Sequence, residues 1–97
     1  MDSKVACQAL NYHDVLKINY HGYDREVEVH AVGKTLRGNE IMYVYQTAGG
    51  ARNGNLGWKR MLLEDARFID TISGASRAPR SGYDEEDSHI HDSVCAL

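Results

Sequence analysis

Five short runs of this chain alternate between apolar and polar residues with a period of two, and turn-forming residues interrupt them about every ten positions. A period of two places successive side chains on opposite faces of a strand, so a chain built this way is constrained to pair its strands into a small antiparallel sheet. In the first run, Val15 to Tyr20, Leu16, Ile18 and Tyr20 face one way and Lys17 and Asn19 the other. After the turn His21-Gly22-Tyr23-Asp24, Arg25 to Val32 sets Val27, Val29 and Ala31 against Glu26, Glu28 and His30, completing a hairpin. Ile41 to Thr47 aligns Ile41, Tyr43 and Tyr45 opposite Met42, Val44 and Gln46. From Trp58, a fourth strand puts Trp58, Arg60 and Leu62 on one face and Lys59, Met61 and Leu63 on the other, and Arg67 to Ser73 forms the fifth. Strands this short at this spacing predict a mostly β fold, a small antiparallel barrel of about five strands.

Before the first strand, Ser3 can cap a short helix through about Leu10, with Val5, Ala9 and Leu10 as its apolar side. Ninety-seven residues hold one hydrophobic core, so residues 1–97 are expected to make a single domain without an interdomain cleft. A hydrophobic content of 42% with charges of both signs fits a soluble globular chain, and no apolar run approaches the roughly 20 residues that span a bilayer. Met1-Asp2-Ser3-Lys4 leads into no export signal, which predicts a cytoplasmic protein with Cys7 and Cys95 as reduced thiols, since cytosolic bridges are rare. Residues 75–97 read as a separate C-terminal segment. It is linker-like around Pro79, acidic from Asp84 to Asp92, and apolar at its end, where Ile90, Val94 and Leu97 fit a helix and a barrel-closing strand about equally well.

The formal charge of −3 hides an asymmetry. Residues 83–97 contain five acids and no Lys or Arg, while residues 1–82 hold eleven cations against nine acids, a net of +2. A basic middle beside an acidic end suits anion binding, although mixed charge is most often a solvated surface. Against catalysis, the chain shows no nucleophile elbow, and the glycine-rich stretch Ala48–Gly57 lacks the phosphate-loop pattern and leads into no helix. His89-x-His91 with Asp92 and Cys95 matches no structural zinc spacing, so neither a metal nor another cofactor is expected. The informative set is aromatic and basic. Tyr20, Tyr23, Tyr43, Tyr45 and Trp58 could line one groove with Arg25, Lys34, Lys59, Arg60 and Arg67, as small barrels do when bases stack on rings and cations meet phosphates. Any one of those rings, taken alone, is more often core packing.

The succession Ile18-x-Tyr20-x-Gly22-x-x-Arg25-x-Val27, Gly33, Tyr45-Gln46, a glycine-rich loop, Gly57-Trp58-Lys59 with Leu62-Leu63, and Gly82-Tyr83-Asp84 resembles the WYL domain, an Sm-like or SH3-like β-barrel. The resemblance covers most of the chain. It departs at the triplet that names the family, which reads Trp58-Lys59-Arg60 here, and at His30, where a proline is frequent. No winged-helix segment of the kind fused to such modules is present in these residues, so a DNA-binding repressor is not implied. What the resemblance implies is a stand-alone, non-enzymatic ligand-binding or regulatory module, connected with transcription, that takes a nucleotide-like anion or single-stranded nucleic acid. Arg25, Tyr45, Trp58, Lys59 and Arg60 are its candidate contacts. The alternative expectation is a protein–protein interaction module that works as a homo-oligomer or accessory subunit, pairing through an exposed strand edge.

Overall fold

A computed structural model describes residues 1–87 and 89–97. The chain runs α1 (Ser3–Tyr12), β1 (Val15–Tyr20), β2 (Tyr23–Lys34), β3 (Glu40–Gly49), β4 (Gly57–Leu62), a 3-10 turn (Leu63–Asp65), β5 (Ala66–Ile72) and β6 (Asp92–Ala96). All pairings are antiparallel, in the order β4-β3-β2-β1-β5, with β6 added to β2 off that path. This is the mostly β architecture with a short N-terminal helix that the alternation predicts. The barrel, however, does not close: β4 and β5 end the path and share no ladder among the described residues. The 3-10 turn joins them directly, and the chain passes at that corner from pairing with β3 to pairing with β1.

The cap of α1 is Asp2, one residue before the expected Ser3, and its carboxylate accepts the Lys4 N–H at 2.9 Å. Ala6, Ala9 and Leu10 are buried at helical spacing and seat α1 on the concave face of the sheet. There they meet Leu16, Ile18, Val27, Val29, Val32, Met42, Val44, Met61 and Leu63. Each large aliphatic side chain removed from water here contributes about 1.5–3 kcal/mol.

Two irregularities in the β2–β3 ladder reset the facing of β2. The register shifts between Glu26 and Val27 and again between Val29 and Ala31, so Val29 stands opposite Val44 and Ala31 opposite Tyr43. His30 is the extra residue, and Ala31 therefore leaves the face it was expected to share with Val27 and Val29. Glu28 and His30, expected to face solvent, are buried at 1% and 0% exposure. The convex face of β2 is covered as well as the concave one, because residues 76–87 cross it as a strap before β6 returns along Ala31–Lys34. That return needs a glycine: a Cβ on Gly33 would collide with the Asp92 carbonyl and the Ile90 side chain.

The terminal segment is thus a strand, one of the two forms its pattern allowed. It carries Cys95 to α1, where its sulfur is joined to that of Cys7 across 88 residues of sequence. The expectation of two reduced thiols is corrected by this pairing, which the return of β6 makes possible by placing the two Cα atoms 6.0 Å apart. Among the described residues, no helix is long and apolar enough to cross a membrane.

Candidate functional site

The five candidate contacts fall into two groups on different parts of the sheet. Tyr45, Trp58 and Arg60 belong to the convex face of β3 and β4, where the register sets Tyr45 against Trp58 and Tyr43 against Arg60. Trp58 stacks on Tyr43 with 4.8 Å between ring centroids, and meets His30 edge-on at 4.6 Å and Tyr45 edge-on at 5.2 Å. Tyr83 from the strap lies over this cluster, and the Trp58 indole N–H donates to the Ser81 carbonyl at 3.3 Å. The backbone can approach the ring so closely because Gly82, at φ +87°, has no Cβ; one would stand 3.2 Å from the indole nitrogen.

Both cations on this face are already paired. Arg60 Nε donates to Asp87 Oδ2 at 2.9 Å, with its guanidinium over the Tyr43 ring, and the Asp87 side chain is only 4% exposed. Arg80 grips Glu28 with two parallel bonds, Nε to Oε1 at 2.6 Å and Nη2 to Oε2 at 3.1 Å, and lies over Tyr45. The Arg77 N–H adds a third bond to Glu28 at 2.8 Å. Burial alone would raise both carboxyls, but the bonds from Arg80 and Arg77 hold Glu28 below its usual range, and those from Arg60 and His89 do the same for Asp87.

His30 completes the contact with the strap. Its Nε2 accepts the Arg80 N–H at 2.9 Å, so the ring proton must sit on Nδ1, which donates to the Glu28 carbonyl at 3.0 Å. Burial lowers its pKa and favours this neutral form. Tyr83 donates its hydroxyl to the His30 carbonyl at 3.2 Å. The expected groove is therefore filled by the chain's own segment. Glu28, His30, Arg80, Tyr83 and Asp87 were not among the candidate contacts, although His30 and Gly82-Tyr83-Asp84 figure in the WYL resemblance and Asp87 in the acidic run.

Arg25 and Lys59 lie elsewhere, together. With Tyr20, His21, Arg52 and Asn53 they line a shallow depression of about 480 Å³ beside the glycine-rich loop. Arg25 is 6% exposed, opposite Gly49 in the register, where a side chain would strike the Asp24 carbonyl. Its Nη1 donates to Gln46 at 3.2 Å and its Nη2 to the Tyr20 carbonyl at 3.0 Å, between the rings of Tyr20 and Tyr23. The buried Nε has no acceptor. Desolvation pulls the guanidinium below its usual pKa, and the two tyrosines partly offset that. Lys59 reaches the Asn53 side-chain oxygen at 3.5 Å, and no carboxylate pairs with Arg25, Arg52 or Lys59 among the described residues. At the rim His21, in the left-handed turn at φ 51°, stacks on Tyr20 at 4.0 Å while its Nε2 meets Asp65 at 3.0 Å.

Among the described residues no group of three His, Cys, Asp or Glu side chains is placed to hold a metal ion, and Cys95 is committed to its bridge. Compared with family models, curated proteins and solved structures, the chain matches none.

Proposed function

We propose that the chain is a non-enzymatic, WYL-like binding and regulatory module that receives an anionic, nucleotide-like ligand or single-stranded nucleic acid at the Arg25–Arg52–Lys59 depression. One observation carries the reading: three cations without carboxylate partners line a single open depression, and the most buried of them keeps an unmet N–H. Arg25 is largely withdrawn from water, and a desolvated guanidinium without a carboxylate partner gains more from a nearby anionic acceptor than an exposed one does. Phosphate oxygens are such acceptors. The stacked Tyr20–His21 pair supplies a flat surface beside them. The WYL resemblance supports the same class of ligand, with Arg25 and Lys59 as contacts; Tyr45, Trp58 and Arg60 serve the strap instead.

Titration with mononucleotides and short oligonucleotides tests the reading. Binding is expected at low salt, weakening as salt rises and falling at least tenfold in the double variant Arg52→Ala/Lys59→Ala. Absence of binding at low salt overturns it.

A second reading has its own support. Among the described residues the outer edge of β5 is unpaired, and Phe68, Ile69 and Ile72 on that strand are exposed, which suits pairing with a partner strand as a homo-oligomer or accessory subunit. Light scattering over a range of concentrations tests it, and a strict monomer excludes self-association.

A further inference from the structure

From the way the free cations are distributed, we infer that the depression takes a terminal phosphate monoester, with the ring next to that phosphate resting on His21, and not the internal phosphodiesters of a strand. The inference rests on the proposed function and selects between its two ligand classes.

A protein that follows a nucleic-acid backbone needs cations spaced along a groove and several rings on which successive bases stack. Among the described residues, the convex face of this sheet offers no such track. Arg60 and Arg80, the cations of the neighbouring face, are held by carboxylates that are 4% and 1% exposed. Tyr43, Tyr45 and Trp58, the rings that would serve successive bases, stack on one another beneath Tyr83 and Ser81. At the depression itself, Arg25, Arg52 and Lys59 supply the charge and His21, stacked on Tyr20, the ring platform.

Three cations lining one depression favour the group with the most charge on one atom cluster. A phosphate monoester carries about −1.5 to −2 near neutral pH, with three terminal oxygens as acceptors. A diester carries a single charge shared by two. The ring platform is preset, because the Tyr20 stack on one side and the Asp65 carboxylate at Nε2 fix the imidazole before any ligand arrives. Its free face is half open to solvent, with 58% of the side chain exposed. A depression of about 480 Å³ lies within the 300–1,000 Å³ usual for small-molecule sites, room enough for one nucleotide unit.

Calorimetric titration at low salt tests this with inorganic phosphate, a nucleoside, a nucleoside 5′-monophosphate, and one trinucleotide carrying either a 5′-phosphate or a 5′-hydroxyl. The monophosphate is expected to bind at least tenfold tighter than phosphate or nucleoside alone, and the phosphorylated trinucleotide at least tenfold tighter than its hydroxyl twin. His21→Asn keeps a residue that tolerates the left-handed turn and removes the ring. It should bring the monophosphate down to the affinity of phosphate while leaving phosphate itself within twofold. Equal affinity for the two trinucleotides overturns the inference and leaves the general reading standing. An unchanged monophosphate affinity in His21→Asn overturns the role of the ring. No binding of any probe overturns both the inference and the reading beneath it.

Discussion

The convex face around Trp58 and the depression around Arg25 are built from the same kinds of side chain, aromatic rings and cations, and differ in what neutralises them. On the convex face Arg60 and Arg80 meet Asp87 and Glu28, so charge is satisfied within the fold and the rings become packing. In the depression no carboxylate joins Arg25, Arg52 or Lys59 among the described residues. The lesson is that an aromatic–basic composition identifies a binding surface only after the acids have been placed. In this chain the acids that decide the matter are 27 and 52 residues away from the cations they pair with.

That contrast can be broken most strongly at the anchor of the strap. The Cys7–Cys95 bridge closes a loop of nearly the whole chain, and opening a native bridge in a small domain costs about 2–5 kcal/mol, toward the upper end for so long a loop. Urea unfolding with and without reductant should show that loss, and Cys95→Ser should match the reduced protein. Next in size is Glu28→Ala, which removes the acceptor of three hydrogen bonds and leaves the Arg77 N–H without its partner. About 2 kcal/mol is expected, together with a change in Trp58 fluorescence as the strap loosens; an unaltered melt would mean that the clamp adds nothing to the folded state.

Acidification acts on the same region. Glu28, Asp87 and His30 all have folded pKa values below their ordinary ones, so the folded chain binds fewer protons than the unfolded one. Their stabilisation is complete above about pH 6.5 and is lost as the pH falls, first through His30 and then through the two carboxylates. Of the groups packed around them, the buried Tyr43 and Tyr83 hydroxyls and the Arg60 and Arg80 guanidinia all titrate higher than usual and stay protonated over that range. Thermal melts from pH 7 to 4 should therefore fall steadily. His30→Gln should remove the part of the loss that begins near pH 6.5, and a flat profile in the wild type would refute the assignment. The smallest effect belongs to the depression: Arg52→Ala is exposed and unpaired, and should move stability by less than about 0.5 kcal/mol. A larger loss would show that Arg52 is structural, and would dissolve the distinction between the two regions.

Strands β1 to β5 were legible from the period-two alternation of the sequence; β1 spans the residues its pattern predicts. The burial of β2 on both faces was not. A period of two sets Glu28 and His30 opposite Val27 and Val29, and the covering strap turns that face into interior, while the extra residue His30 moves Ala31 off the face of Val29. Neither event leaves a mark in the local pattern, since the strap is a polar, proline-containing segment about 50 residues downstream. The division of the candidate contacts follows from the same limit. Alternation separates Lys59 from Trp58 and Arg60, yet only the pairing of β2 with β3 brings Arg25 to the end of the sheet where Lys59 also points. The bridge was illegible for a related reason: two cysteines at opposite ends of a sequence say nothing of distance until β6 has returned along β2.

The strap also sets an order of events at the ribosome. Strands β1 to β5 precede in the chain the segment that covers Trp58 and its neighbouring rings, so their ladders can pair before that segment emerges. Until residues 76–87 arrive to cover it, the nascent sheet displays a bare aromatic face. For that interval the face is the part of the molecule most open to capture by a chaperone or by another nascent copy.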